Sequence, residues 1–429
     1  MTEPSVDRLA LLYRVSQTFN STLDLDEVLN RVMDEVIAAT RAERGFLMLR
    51  DASGQLAARA ARGMDQRTVE DPGFQVSRGV VELVAREGRP QLTSDAQADA
   101  WLNIRESVVM LGLRSILCVP LQHKGATLGV IYVDNRLQAG IFKPDDLELL
   151  TAIASSAAAA IENARLYQVA VEKGRIEREL QVAREVQAGL LPRNTPRLPG
   201  WEFAAHWQPA REVAGDFYDF IPVNLARADL PAPGIAQMGI VIADVTDKGM
   251  PAALFMALSR SIVRASVAQA PSPADGIECA NRLICADATN GMFVTLFYAQ
   301  IDPVTAEFTY VNAGHNPPLL YRAASGELVE LARTGMVLGI GESVSFGQRT
   351  ERLSAGDFVL LYTDGVTDAV DAQSREFGVD RLRRVTLDYR HASAEELLAA
   401  LERAVGEFTG AAAPFDDITI VIVKRLSMR

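Results

Sequence analysis

Apolar residues recur at helical spacing at the start of the chain, at Val6, Leu9 and Tyr13 and again at Val28, Val32, Val36 and Ile37. A cap-like break at Thr22-Leu23-Asp24 separates the two sets, so two helices are predicted. From Arg44 the pattern becomes strand-like. RGFLMLR (Arg44 to Arg50) and Gln55 to Ala61 flank the turn signal Asp51-Ala52-Ser53-Gly54, which predicts a hairpin. A helix is expected around Gly79 to Arg86, then an irregular stretch over Gln91 to Glu106. A second hairpin follows, Ser115 to Leu121 and Leu128 to Asp134, turning at His123-Lys124-Gly125. Helix–hairpin–helix–hairpin–helix describes an α+β unit with an antiparallel sheet.

From Glu148 to about Leu191 the sequence reads as one long helix. Leu166, Val169, Lys173, Ile176, Leu180, Ala183, Gln187 and Leu190 alternate spacings of three and four, the seam of a two-stranded coiled coil. A parallel homodimer is expected from it. The alternative is a helix packed on its own C-terminal domain, and Gly174 in mid-helix argues against a long rigid rod. Pro192 ends the helix. Beyond it, strands are expected near residues 201–208, 219–223, 237–243, 293–301, 307–312, 317–322, 328–331, 357–363 and 418–424, and helices near 252–269, 273–290, 379–389 and 394–408. Strands and helices in separate blocks again predict α+β.

The chain has 429 residues, 48% of them hydrophobic, enough for two or three domains with sizeable cores. Net charge is −12 and neither half is basic, which argues against nucleic acid or an anionic membrane as partner. Cys118, Cys279 and Cys285 are scattered among apolar residues and read as reduced core thiols. The start, MTEPSVDR, lacks a targeting pattern, and no apolar run is long enough to span a bilayer. A cytoplasmic protein is expected.

Chemistry concentrates in aspartates at the mouths of apolar strands. IVIADVTDKGMPAAL delivers Asp244 to a turn, VAGDFYDF holds Asp216 and Asp219, DFVLLYT ends on Asp364-Gly365, and PFDD places Asp416 and Asp417 before ITIVIV. One Asp after a strand is an ordinary turn residue. Four such segments with almost no histidine make an all-oxygen set suited to Mg²⁺ or Mn²⁺ rather than zinc. No Gly-rich nucleotide cradle is present.

These segments, together with NAGHNPPLL and in this order over about Pro192 to Lys424, resemble the metal-dependent protein phosphatases. The likeness is to the bacterial sporulation-phosphatase branch related to protein phosphatase 2C. The resemblance implies two stacked antiparallel sheets flanked by helices, and serine/threonine phosphatase activity through two Mn²⁺ or Mg²⁺ ions that activate one water. It implies metal ligation by Asp216, Asp244, Asp364 and Asp416. The Val245 carbonyl is an additional candidate, Asp417 the less favoured of its pair, and Asp219 a candidate for the surrounding shell. The implied substrate is a phosphorylated anti-sigma factor antagonist. Family members often carry a His in the loop where this chain has Val245-Thr246-Asp247-Lys248-Gly249. The leaving-group proton then falls to a metal-bound water or to Lys248, which otherwise reads as a solvated turn lysine. His315 reads as a hydrogen-bonded structural residue, and His206 has no acidic context in the sequence. A catalytically silent scaffold and a small-molecule phosphohydrolase are the alternatives.

AERGFLMLRD, LRSILCVPLQHKGATLGVIYVDN and FKPDDLELLTAIASSAAAAIENARLY resemble a GAF domain over about Asp24 to Tyr167, implying a sensor or dimerising module with a possible small-molecule ligand. The expected organisation is an N-terminal helix (1–23), a GAF-like domain (24–165), a helical linker (166–191) and a phosphatase domain (192–429).

Overall fold

A computed structural model describes residues 4–63, 77–94, 96, 113–223, 237–288, 291–412 and 414–427. They divide into two compact units, Met1–Ile176 and Glu177–Arg429.

In the first unit, α1 (Pro4–Phe19) and α2 (Leu25–Thr40) precede a five-stranded antiparallel sheet. Asp24 starts α2 by accepting from the Glu27 N–H at 2.9 Å, so the break in the apolar pattern is a genuine cap. The strands are β1 (Arg44–Arg50), β2 (Leu56–Arg62), β3 (Gln91–Thr93), β4 (Ser115–His123) and β5 (Ala126–Asn135), in the order β2-β1-β5-β4-β3. Phe19, Val32 and Met33 pack on one face with Ile153 and Ile161, from the first half of the long helix α4 (Pro144–Leu190). On the other face, Val80 and Val84 of α3 (Arg78–Glu87) meet Phe46, Cys118 and Tyr132. β3 lies in the stretch read as irregular, because three residues are too few to show a period. The rest of that stretch, from residue 97, lies outside the described residues. All three cysteines are free, and Cys118 is in the core.

The second unit is a four-layer stack. One antiparallel sheet has the order β13-β10-β9-β8-β7 and the other β12-β11-β14-β15-β6. Their strands are β6 (Trp201–Gln208), β7 (Phe217–Val223), β8 (Gln237–Val245), β9 (Val294–Ile301), β10 (Glu307–Ala313), β11 (Leu319–Arg322), β12 (Glu327–Glu330), β13 (Arg349–Arg352), β14 (Phe358–Tyr362) and β15 (Ile418–Arg425). Phe203, Ile240, Phe297, Phe308, Leu361 and Val421 fill the space between the sheets. Helices α5 (Met250–Val267) and α6 (Pro273–Asp287) cover the first sheet. A single turn α7 (Asp364–Thr367), α8 (Gly378–Asp388) and α9 (Ala394–Thr409) lie against the second. β13 was not expected. Its sequence RTER has no apolar alternation, because it is an exposed edge strand that, among the described residues, pairs with β10 alone.

The coiled-coil seam read from the sequence does not run uniformly. Leu166, Val169 and Ile176 are 58%, 60% and 46% exposed, whereas Gln187 is buried within the second unit. Its amide donates to the Ala214 and Ala253 carbonyls at 2.9 and 3.3 Å and accepts from the Ala214 N–H at 3.1 Å. Gln187 is thus a fastening for the loop before Asp216 and the first turn of α5, not a polar interruption in an interhelical seam. Among the described residues no helix is long and apolar enough to cross a membrane.

Candidate active site

Asp244 is the penultimate residue of β8, and a four-residue turn, 246–249, carries the chain to Met250, where α5 begins with Pro251 in its first turn. Thr246 pins this turn: its N–H and hydroxyl both donate to the Phe293 carbonyl, at 3.0 and 3.1 Å, and its oxygen accepts from the Phe293 N–H at 3.0 Å. Asp247 sits at φ +79°, a left-handed position that an aspartate tolerates better than most residues.

Asp216 lies just before β7 and is almost fully buried. The hydroxyls of Thr363 and Thr419 both donate to its Oδ2 at 2.7 Å, and Trp207 Nε1 donates to its carbonyl at 3.0 Å. Asp364 opens the single turn α7 at the end of β14. Gly365 follows because a Cβ there would stand 1.9 Å from the Asp417 carbonyl, so glycine lets the loop before β15 approach. Gly215 serves Val245 similarly: an added Cβ would lie 3.0 Å from the Val245 carbonyl oxygen.

The two final candidates behave differently. Asp417 commits Oδ1 to the Ala210 N–H and Oδ2 to the Gly215 N–H, both at 2.7 Å, and so fastens the loop that carries Asp216. Asp416 instead meets Lys248 Nζ at 2.8 Å. Lys248 also donates to the Phe415 carbonyl at 3.0 Å and lies over the Phe415 ring, so it is held rather than freely solvated. Asp219 is fully enclosed and bound by Arg260 and Arg264 of α5 at 2.8 Å each, which gives it to the β7–α5 contact rather than to the shell around the other acids.

Burial and mutual repulsion dominate the electrostatics. Asp216 is pushed well above the usual carboxylate range by burial and by Asp244 and Asp417. Burial, Asp364 and Asp416 raise Asp244 to about 7, with a side-chain contact to Asp216 acting in the opposite direction. Asp364 is raised by burial and by Asp416 and Asp368. Acids from four segments, far apart in sequence, thus act on one another at one end of the two sheets. Among the described residues, no three His, Cys, Asp or Glu side chains have closed into a ready coordination shell. The donor set nonetheless fits a hard divalent cation: all ligand atoms are oxygen, and the buried negative charge calls for a cation.

His315 is buried, its Nδ1 lies 2.9 Å from the Thr295 hydroxyl, and burial lowers its pKa to about 4. It is a neutral structural residue, as its turn motif suggested. His206 does have an acidic partner: Nδ1 lies 2.6 Å from Glu402 of α9. Neither that pair nor the Thr363 and Thr419 hydroxyls could be read from local pattern, because strand pairing and helix packing create both contacts.

Residues 235–426 match the profile of the Stage II sporulation protein E family (SpoIIE), and residues 22–162 match that of the GAF domain. The chain is 31% identical over 274 residues to Protein IcfG of Synechocystis, covering 58% of this chain and 41% of IcfG. It is 27% identical over 252 residues to Phosphoserine phosphatase RsbU of Bacillus subtilis, covering 58% of this chain and 71% of RsbU. Less than half of the first of these relatives is therefore represented. Among solved structures, the SiaA-PP2C domain of Pseudomonas aeruginosa superposes with a TM-score of 0.51 at 21% identity, covering 60% of this chain and all of that domain, a likeness of fold. Residues 22–162 thus resemble a GAF domain, residues 235–426 resemble the SpoIIE family, and the second unit has the fold of the SiaA-PP2C domain.

Proposed function

We propose that the C-terminal domain is a divalent-cation-dependent phosphatase acting on phosphoserine or phosphothreonine in a regulatory protein. The carrying observation is the convergence of Asp216, Asp244, Asp364 and Asp416 from separate elements, with burial and neighbouring carboxylates raising the proton affinities of Asp216, Asp244 and Asp364. Relatives named phosphoserine phosphatases support the choice of substrate group.

In this reading Asp216, Asp244, Asp364 and Asp416 hold two Mn²⁺ or Mg²⁺ ions, with the Val245 carbonyl as a further oxygen. When bound, such ions lower the pKa of water and neutralise phosphoryl charge. Thr363 and Thr419 orient Asp216 through their hydroxyls, and Asp417 fixes the spacing between its own loop and the one before β7. Lys248 holds Asp416 and Phe415 in place at the rim, the position from which it can meet a phosphoryl oxygen or pass a proton. The GAF domain supplies regulation, and the exposed Leu166, Val169 and Ile176 support a homodimer through α4. By family resemblance the partner is an anti-sigma factor antagonist.

The Lys248–Asp416 ion pair favours one other reading, a silent scaffold whose lysine takes the place of a cation. Hydrolysis of a phosphoserine peptide by the full chain, with Mn²⁺, with EDTA and in Asp364→Ala, separates them. Activity lost in both controls supports the phosphatase; an inert protein that retains Mn²⁺-independent partner binding supports the scaffold.

A further inference from the structure

A cavity of about 160 Å³ adjoins the carboxylates on the outer side of the second sheet. Its walls come from the end of β6, the start of β15, the turn after Asp364, the C-terminal half of α9 and the loop that carries Asp416. They are largely apolar, with Ala369, Val370, Val405, Phe415, Ile418 and Ile420 contributing. Asp416 is itself part of the lining, so the cavity is continuous with the proposed phosphate site. Its acidic groups are already paired, Glu402 with His206 at 2.6 Å and Asp416 with Lys248, and Gln208 and Thr409 are the other polar side chains of the lining. Apolar contact is therefore most of what the cavity can offer.

Two further observations suggest that the space is kept open for an occupant. Phe415 is 58% exposed at the rim, a large apolar surface next to a charged centre. Gly406 lies inside α9, lines the cavity, and has no atom within 4 Å of where a Cβ would stand. A helix-interior glycine with no steric reason to be glycine lowers helix stability. Its effect here is to leave the wall without a side chain. Cavities near 150 Å³ accept a group the size of benzene. The space therefore suits one side chain of the leucine, methionine or phenylalanine class.

We infer that this cavity receives an apolar side chain of the substrate close in sequence to the phosphorylated residue, making it the specificity pocket of the site proposed above. The inference rests on that phosphatase reading. The phosphate group approaches the four aspartates, and the neighbouring side chain passes Phe415 into the pocket, displacing water from Val405 and Ile420. Burying such a side chain distinguishes it from glycine by about 10-fold or more in kcat/KM.

The test uses the full chain with Mn²⁺ and a set of phosphoserine peptides in which a single Leu is moved through the three positions on either side of the phosphoserine in a Gly/Ser background. One position is expected to raise kcat/KM by about 10-fold, mainly through KM. Gly406→Leu fills the pocket while improving helix propensity, so it should fold, with circular dichroism and thermal melting as checks. In that variant the advantage should shrink to within about twofold, as a competitor side chain already occupies the space. Equal hydrolysis of all peptides by the unmodified protein, or a leucine preference that survives Gly406→Leu, overturns the pocket and leaves the phosphatase reading intact. Failure to hydrolyse any phosphoserine peptide overturns both.

Discussion

Two buried charged clusters treat their charge in opposite ways. In the first unit, Arg44 and Asp134 are both enclosed on adjacent strands β1 and β5, and the guanidinium grips the carboxylate through Nε at 2.7 Å and through a terminal nitrogen. In the second, Asp244 is raised by Asp364 and Asp216 by Asp244, and Lys248 forms its ion pair with Asp416 at the rim. A carboxylate with its own counter-ion is complete when the chain folds. A group of carboxylates without one costs stability unless something cationic arrives, and that is the condition of a binding site. Asp219 makes the same point within a single segment. It lies three residues from Asp216, yet two arginines of α5 complete it, and it belongs to the packing.

The largest expected contrast lies in activity. Asp244→Asn or Asp364→Ala should lower Mn²⁺-dependent hydrolysis by about a thousandfold or more, since bound metal contributes several kcal/mol to phosphoryl transfer. Arg44→Met should act on stability instead. It leaves Asp134 buried without its counter-ion, an expected cost of about 3–5 kcal/mol by urea unfolding, and should leave the Mn²⁺ affinity of the second unit unchanged. Smaller effects are expected where a neutral group supports the cluster: Thr363→Val or Thr419→Val should weaken Mn²⁺ binding by about 10–100-fold in calorimetry.

The smallest contrast is in pH dependence. Asp244 has its proton affinity raised on folding, so in EDTA its contribution to stability is fully present below the ordinary carboxylate range and is lost as pH rises through about 7. Melting temperatures of the metal-free protein should therefore fall between pH 5 and pH 8 more steeply than those of Asp244→Asn. Equal slopes would show that Asp244 is not held among like charges.

Much of this contrast was legible in the sequence on one side and hidden on the other. Alternating apolar strands ending on Asp244 and Asp364 are local patterns, so the sheets and those two positions could be read directly. The roles of Asp416 and Asp417 could not, because adjacent residues in a loop point to different partners. Only the fold brings the Ala210 and Gly215 amides to Asp417 and Lys248 to Asp416. The arginines that complete Asp219 stand four apart on α5, which is a helical spacing visible in the sequence, but nothing local says which strand that face meets. Gln187 fitted a heptad as well as it fits its buried position. A short-range period cannot distinguish a partner helix from the chain's own loops.

If the second cluster needs a cation from solution while the first carries its own, thermal melting of the full chain at pH 7.5 should differ between EDTA and excess Mn²⁺. Mn²⁺ at about 100 times its Kd should stabilise the second unit by about 2.7 kcal/mol, a rise of about 5–10 °C. Asp364→Ala should lose this gain while melting in EDTA no lower than the unmodified protein. An unmodified protein indifferent to Mn²⁺, or an Asp364→Ala variant clearly less stable in EDTA, would contradict the need for a cation from solution.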